Sequence, residues 1–202
     1  HRGIGGLEAW AGTPGTVGGA IYGNAHFGGR LIGELVESVR LAGRDGSTRD
    51  LSHDQMEFGY DRSCLQTTGE VLLSVVFRVS TGDPAALREV ARQSLAYRKQ
   101  TQPLEAPSAG CIFQNPHRAD VPLDIAASAG ALIDRAGLKG VTRGGARVST
   151  AHANFIVNEG RATAADIRDL IDVCRSRVAE RFGVTLHEEI VYMGEFDVES
   201  AD

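Results

Sequence analysis

The sequence has no apolar run long enough to cross a membrane, and we expect neither a membrane span nor a secretory leader. It has no block of basic residues and a formal net charge of −5, which argues against nucleic-acid binding. Its three cysteines are too few and odd in number for a disulfide framework and are typical of a reducing compartment. We therefore expect a cytoplasmic protein that binds neither membranes nor nucleic acids.

The chain of 202 residues is long enough for one large domain or two small ones. Residues 101–107 contain two prolines and are the best candidate for a domain boundary. We predict one domain over residues 1–101, a second over 102–194, and a frayed acidic tail over 195–202. Because the sequence opens at His1 inside a glycine-rich stretch, we expect the native protein to extend further toward its N terminus.

Hydrophobic patterning in the first half predicts strands over residues 35–41 and 47–51, joined by an Asp-Gly hairpin turn. Residues 71–79 are apolar and β-branched, which predicts a central strand. A helix is predicted to begin at Pro84 and to end around residues 98–99. Its buried stripe is expected to contain Leu87, Val90, Ala91 and Leu95.

In the second half, a helix is predicted over residues 126–136 and a strand over 153–158. Residues 163–166 resemble a capping box, with Asp in place of Glu. A last strand is predicted over 184–193. The helix that follows the capping box is expected to bury Ile167, Leu170, Ile171, Cys174, Val178 and Phe182.

The 25 glycines are concentrated in the opening segment, above all over residues 3–29. So dense a glycine pattern predicts neither a helix nor an ordinary strand there. Its exposed N–H groups could surround an anion, or its backbone could pack against a flat ligand. The alternative is a glycine-rich turn at the corner of a sheet, which glycine spacing alone would favour.

Residues 107–116 place small side chains before a single thiol, Cys111. Gly110 can adopt dihedral angles that other residues cannot, and residues 111–114 read as a short strand with Cys111 and Phe113 on one face. A thiol at the start of a strand is plausible active-site geometry. A buried structural cysteine is equally compatible with this segment, so both readings stay open.

Four motifs at compatible spacing together resemble the UDP-N-acetylenolpyruvoylglucosamine reductase family. They are GTPGTVGGAIYGNA over residues 12–25, PSAGCIFQNP over 107–116, AGLKG followed by GGARVSTAHANFIVN over 136–158, and LHEEIVYMG over 186–194. The resemblance covers nearly the whole chain. The short path from residue 107 to Gly137 resembles the compact second type of the family.

The resemblance implies an α+β fold: the second part of a vanillyl-alcohol-oxidase-type FAD-binding domain, followed by a small α/β substrate-binding domain. It implies an oxidoreductase that uses FAD and NADPH to reduce UDP-N-acetylglucosamine enolpyruvate to UDP-N-acetylmuramate in peptidoglycan precursor synthesis. We expect a monomer. The alternative from another class is a binding module for flavin or a nucleotide sugar, derived from that family but without catalysis.

The resemblance also implies roles for individual residues. Cys111 falls where the family usually has the serine that protonates C2 of the enolpyruvyl group, and Glu189 matches the acid that assists. Arg62 stands one position away from the arginine that contacts the substrate carboxylate. Without the resemblance, Glu189 would be read as a surface strand residue and Arg62 as a loop charge. Substrate contacts are expected from Asn115, Lys139 and Tyr60, and flavin contacts from Gly12, Thr13, Pro14, Gly15, Thr16, Gly18, Gly19, Asn24 and Ala25.

Overall fold

A computed structural model describes residues 3–194. The chain forms two compact units, His1–Gln100 and Thr101–Asp202, and each is mixed α and β. The predicted acidic tail, residues 195–202, lies outside the described residues.

The first unit contains seven short strands and three α-helices in its described part. The strands are β1 (Ile4–Gly5), β2 (His26–Phe27), β3 (Arg30–Leu31), β4 (Val36–Ala42), β5 (Thr48–Ser52), β6 (Val71–Phe77) and β7 (Ser80–Thr81). The helices are α1 (Val17–Tyr22), α2 (Leu65–Thr68) and α3 (Pro84–Thr101).

The main sheet of this unit has the antiparallel order β5-β4-β6. The hairpin between β4 and β5 is confirmed: Gly46 has φ +81°, and the Asp45 carboxylate accepts a hydrogen bond from the Ser47 N–H at 3.0 Å. Apolar residues of β4 and of the opening segment form the core beside this sheet. Its buried members are Ala9, Trp10, Ile21, Ile32, Val36, Val39, Leu41, Leu51, Met56, Cys64 and Leu65.

Two predictions about apolar segments in this unit were wrong. Strand β6 is an edge strand among the described residues rather than a central one, and its Val71, Leu73 and Val76 are exposed. In α3 the buried residues are Ser94 and Arg98. The reason is that α3 lies against glycines, not against a broad apolar face. A Cβ at Gly5 would come within 2.7 Å of Leu87 Cδ2, and one at Gly12 within 2.5 Å of Leu95 Cδ1; these leucines are half-buried and Val90 is exposed.

The expectation that the glycine-rich stretch contains no helix was also wrong, because residues Val17–Tyr22 form α1. The Thr16 hydroxyl caps this helix by accepting the Gly19 N–H at 3.1 Å. Ile21 on its inner face is fully buried. Capping and burial of one large side chain therefore outweigh the low helix propensity of Gly18 and Gly19.

The second unit contains an antiparallel sheet of order β8-β11-β10-β9 in its described part. Its strands are β8 (Ser108–Cys111), β9 (Thr142–Arg143), β10 (Ala146–Val148) and β11 (Phe155–Asn158), and its helices are α4 (Ala129–Arg135) and α5 (Ala164–Phe182). Helix α5 packs on β9, β10 and α4. The largest side chains buried completely between them include Phe113, Ile112, Leu132, Ile133, Leu170 and Ile171.

The predicted capping box at the start of α5 is confirmed: Thr163 and Asp166 each accept the other's backbone N–H, and Gly183 ends the helix with φ +68°. Ile167 and Phe182 are only half-buried. Helix α4 begins at Ala129, three residues later than expected, because Ser128 caps it. The predicted strand over 184–193 was wrong: the described segment has one isolated antiparallel bridge, between Glu188 and Phe113.

Candidate active site

In the second unit, Cys111 ends strand β8 and faces Phe155 across the ladder to β11. The preceding Gly110 has φ +89° and open space beside it, so the backbone turns there in a way that favours glycine. The thiol is half-buried and is not part of a disulfide. The strand predicted over residues 111–114 was wrong beyond its first residue, because β8 ends at Cys111 and Phe113 forms only an isolated bridge.

Asn154 fixes the backbone immediately after Cys111. Its amide oxygen accepts the Phe113 N–H at 3.0 Å, its amide nitrogen donates to the Phe113 carbonyl at 2.8 Å, and its own carbonyl accepts the Ile112 N–H at 2.9 Å. Asn154 is buried, so these bonds are shielded from water. Asn154 lies within the motif over residues 136–158, but this role was not predicted from the sequence. An Asn directly before an apolar strand was the available signal.

The segment that carries Glu189 pairs with the segment that follows Cys111. The Gln114 N–H donates to the His187 carbonyl at 2.9 Å, and the Glu189 N–H donates to the Ile112 carbonyl at 2.8 Å. These two bonds flank the bridge between Phe113 and Glu188. Cys111 and Glu189, two of the predicted catalytic residues, therefore lie on neighbouring segments that are hydrogen-bonded to each other. They are 78 positions apart in the sequence.

An ion pair anchors the Glu189 segment to the rest of the unit. Arg175 on α5 contacts both Asp172 and the carboxylate of Glu188. The side chain of Glu188 is about one-fifth exposed, so this pair is less screened than a surface pair. Glu188 is thus engaged structurally, while Glu189 is the acid that the resemblance selects.

The two substrate contacts predicted in this unit both have partners within it. The Asn115 amide oxygen accepts the Ala129 N–H at 3.1 Å at the start of α4, and Lys139 forms an ion pair with Asp134 at 2.7 Å. Burial, and then the charge of Lys139, lowers the pKa of His152. His152 was not singled out from the sequence.

In the first unit, the glycine-rich loop presents an unsatisfied hydroxyl. Thr13 Oγ1 is buried and has no hydrogen-bond partner among residues 3–194. Gly15 has φ +106° with nothing within 4 Å of its Cβ position. At Gly18 and Gly19 a Cβ would meet only Thr16 Oγ1, at 3.6 and 3.7 Å. The other expected members of this loop, Gly12 and Pro14, are exposed, and a Cβ at Gly12 would come within 2.5 Å of Leu95 Cδ1.

Asn24 and Ala25 hold this loop to the rest of the unit. Asn24 is buried with φ +46°; its amide donates to the Gly59 carbonyl at 2.7 Å and accepts the Gly33 N–H at 2.8 Å. The Ala25 carbonyl accepts the Ile32 N–H at 2.9 Å and the indole N–H of Trp10 at 3.2 Å. These polar groups therefore stabilise the fold of the loop, a role that was not predicted from the sequence.

Arg62 and Tyr60 lie on a turn that follows β5. The Arg62 side chain is 62% exposed and its guanidinium is 3.5 Å from the Glu57 carboxylate. Tyr60 is exposed, and its ring centroid lies 4.9 Å from that of His26. Between them, Asp61 points into the protein.

Residues 102–193 match the family model described as UDP-N-acetylenolpyruvoylglucosamine reductase, C-terminal domain. Over 195 residues, 96% of this chain, the sequence is 40% identical to the enzyme of that name from Bacillus pumilus, and it is 42% identical over 188 residues to the one from Chlamydia felis. The chain belongs to the UDP-N-acetylenolpyruvoylglucosamine reductase family. The resemblance inferred from the four motifs is confirmed.

A crystal structure of the reductase from Thermus caldophilus agrees with this family assignment. Its TM-score to this chain is 0.77 at 34% identity, covering 93% of this chain and 64% of that one. The chain spans about three fifths of the length of the curated reductases that it matches. Within residues 3–194 no helix is long and apolar enough to span a membrane, and the same residues contain no cluster of side chains that could hold a metal ion.

Proposed function

We propose that the protein is an FAD- and NADPH-dependent reductase that converts UDP-N-acetylglucosamine enolpyruvate to UDP-N-acetylmuramate, a step of peptidoglycan precursor synthesis. The observation that carries this proposal is the pairing of the Cys111 and Glu189 segments through the Ile112 carbonyl. It supports a thiol and a carboxylate acting on one substrate, within a family whose named members are reductases.

The glycine-rich loop fits a flavin. The buried, unpartnered Thr13 hydroxyl can donate to or accept from a polar group of a bound ligand. Gly15, Gly18 and Gly19 leave backbone uncovered where a flat ring or a phosphate could lie. Thr16 already accepts a hydrogen bond as the cap of α1, so we assign Thr13 the main side-chain contact and give the remaining expected contacts to backbone groups.

When bound, FAD would supply hydride transfer from NADPH to C3 of the enolpyruvyl group. Negative charge then develops at C2 and on the substrate carboxylate, and a proton must reach C2 from a positioned acid. We assign that proton to the Cys111 thiol and an assisting role to the Glu189 carboxyl. A thiol is a stronger acid than a serine hydroxyl, so cysteine can replace the usual serine. Gly110 lets the chain turn beside the thiol without a side chain in the way.

Asn115 and Lys139 are assigned to the UDP-sugar, with their positions fixed by Ala129 and Asp134. A fixed cation can pair with a phosphate without losing much side-chain freedom. None of the three cysteines forms a disulfide. We propose a cytoplasmic location. We expect the protein to act as a monomer, which sedimentation would test.

One observation favours the non-catalytic alternative. Arg62 is paired with Glu57 near the surface. A module that only binds flavin or a nucleotide sugar would not need a cation at that turn. It would also show no difference between Cys111→Ala and the wild type in flavin chemistry.

Stopped-flow measurement of the two half-reactions tests the proposal. Cys111→Ala should be reduced by NADPH at a near-normal rate, but its re-oxidation by the enolpyruvyl substrate should fall by roughly 10²–10⁴-fold, the usual effect of losing a general acid. Cys111→Ser should keep much of the activity. Ser108→Ala, on the same strand, is the matched control and should behave as wild type. A normal re-oxidation rate in Cys111→Ala would end the proton-donor assignment.

A further inference from the structure

Arg98, near the end of α3, is a buried cation without a counterion in the described part of the chain. Only 5% of the residue is exposed, and its Nε is buried with no hydrogen-bond partner within residues 3–194. Burial lowers the pKa of the guanidinium and is the only cause of that shift, so no described carboxylate stabilises the charge. An arginine stays protonated in proteins all the same. Because a buried charge without a partner is costly, this position favours a bound anionic group.

Aromatic side chains, rather than acids, surround the guanidinium of Arg98. Its central carbon lies 3.8 Å from the centre of the Phe27 ring, and that ring packs edge-on against Tyr97 with centres 5.9 Å apart. Arg30 lies opposite Phe27 in the β2–β3 pair and is a second cation on this face, but it is 3.7 Å from the carboxylate of Glu8. Arg30 and Glu8 neutralise each other, so the positive charge that remains is that of Arg98.

Arg98 lies beside the glycine-rich loop of the same unit. Leu95 precedes it by three residues and shares its face of α3, and a Cβ at Gly12 would come within 2.5 Å of Leu95 Cδ1. The next residue of the loop, Thr13, has a buried hydroxyl that also lacks a hydrogen-bond partner among the described residues. One charged and one neutral polar group, both buried and unsatisfied, therefore flank this contact between helix and loop. Such a pair indicates a ligand that binds both groups.

We propose that Arg98 binds the pyrimidine edge of the flavin ring and stabilises the negative charge that this edge carries in the reduced cofactor. This inference rests on the proposed function and adds a residue that the motifs did not select. A single cation among aromatic side chains suits a ring that gains one delocalised negative charge. The pyrophosphate of FAD carries a negative charge on each phosphate, and Arg98 alone would leave one of them uncompensated. Arg98 therefore favours reduced over oxidised flavin and raises the reduction potential.

The reduction potential of the bound flavin tests this inference without a measurement of turnover. Arg98→Met keeps a long side chain beside Phe27 but removes the charge. It should weaken the binding of reduced FAD relative to oxidised FAD roughly 10- to 100-fold, the effect of losing a charge-assisted hydrogen bond. For a two-electron couple this ratio corresponds to a fall of about 30–60 mV in the potential, which spectroelectrochemistry measures. Calorimetry should show that the affinity of the flavin-free protein for oxidised FAD changes less than about threefold.

Two further variants separate the charge from the shape of the side chain. Arg98→Lys keeps the charge, so its potential should lie closer to that of the wild type than the potential of Arg98→Met does. Arg92→Met is the matched control on the same helix. The side chain of Arg92 is 77% exposed and pairs with Glu89, so water screens the same change of charge there. The ratio of the two FAD affinities should then change less than about twofold.

An unchanged potential in Arg98→Met, with oxidised FAD bound as in the wild type, overturns the inference. An equal loss of affinity for oxidised and reduced FAD also overturns it, because a phosphate would then be the partner of Arg98. If Arg98→Met does not fold, the absorbance of the reduced wild-type protein decides: the spectrum of the anionic reduced flavin supports the inference, and that of the neutral reduced flavin overturns it.

The failure of this inference can be told from the failure of the proposed function. An unchanged potential in Arg98→Met refutes the role of Arg98 alone, provided that NADPH still reduces the wild-type flavin and the enolpyruvyl substrate re-oxidises it. A wild-type protein that binds no flavin refutes the proposed function, and the contact of Arg98 with the ring is then refuted with it.

Discussion

Substituting Ala for Gly18 or Gly19 should make the protein more stable and at the same time less able to hold flavin. Both glycines lie inside α1 with ordinary helical dihedral angles. An added Cβ would meet only Thr16 Oγ1, at 3.6 and 3.7 Å, which is normal van der Waals contact. Ala is favoured over Gly in a helix interior by about 0.8–1 kcal/mol, and roughly half of that or more should be realised in a helix this short.

The gain corresponds to a rise of about 2–8 °C in the melting temperature of the flavin-free protein, since 1 kcal/mol shifts a domain of this size by about 4–8 °C. Flavin content should instead fall at least about tenfold, because the new methyl group occupies the space in which we place the ligand. Thermal unfolding measures the first effect, and visible absorbance of the purified protein measures the second.

Gly46→Ala is the control with the opposite sign. Gly46 has φ +81° in the β4–β5 hairpin, so Ala there should lower stability by about 1 kcal/mol while flavin content is unchanged. Unchanged flavin content in Gly18→Ala and Gly19→Ala, with the expected stabilisation, would show that these glycines serve only the turn and the helix. A lower melting temperature of flavin-free Gly18→Ala or Gly19→Ala would contradict the helical geometry of α1 on which this prediction rests.

Three further predictions concern other parts of the chain. An alkylating reagent should label Cys111 in the native protein, and bound substrate should protect it. Burial raises the pKa of Cys174 to about 12, so this thiol should not react until the protein unfolds. Labelling of Cys174 in the native protein, detected by mass spectrometry, would contradict this. The pKa of His152 in the folded protein is lowered from its usual 6.5, so the free energy of unfolding should be greatest above pH about 6.5 and should decrease as the pH falls toward the folded pKa. Lys139→Met should narrow the pH range over which this stability is lost, because it removes one cause of the lowered pKa. Nuclear magnetic resonance titration would measure the pKa, and unfolding curves would measure the stability. Arg62→Ala should change the free energy of unfolding by less than about 0.5 kcal/mol, since its ion pair with Glu57 is exposed; a larger change in denaturant unfolding would contradict this.

The sequence predicted correctly those secondary-structure elements that are determined by neighbouring residues, such as turns and helix caps. The β4–β5 hairpin follows from an Asp-Gly turn, and α5 follows from the Thr163 capping box and the stop at Gly183. Burial depends on what covers an element, so the exposure of β6 and the half-buried side of α3 could not be derived from their apolar sequences. Helix α1 was missed because glycine content was weighed without the Thr16 cap and the buried Ile21.

In the candidate site, too, some features could be predicted from sequence motifs and others depend on contacts between residues distant in sequence. Motif resemblance selected Cys111 and Glu189, and backbone pairing brings their segments together. Resemblance alone could not show that Asp61 turns inward to meet His26, because that contact joins residues 35 positions apart through the geometry of two turns. The hydrogen bonds from the side chains of Asn24 and Asn154 to the backbone could not be predicted either, since their partners are distant in sequence.

The most direct test of the proposed function is anaerobic visible spectroscopy of the purified protein. We predict a flavin spectrum that NADPH bleaches and that UDP-N-acetylglucosamine enolpyruvate restores, with UDP-N-acetylmuramate formed in equal amount, whereas UDP-N-acetylglucosamine restores nothing. A flavin that NADPH reduces but the enolpyruvyl ligand leaves reduced, or a protein that binds these ligands without any change in flavin colour, would contradict the account.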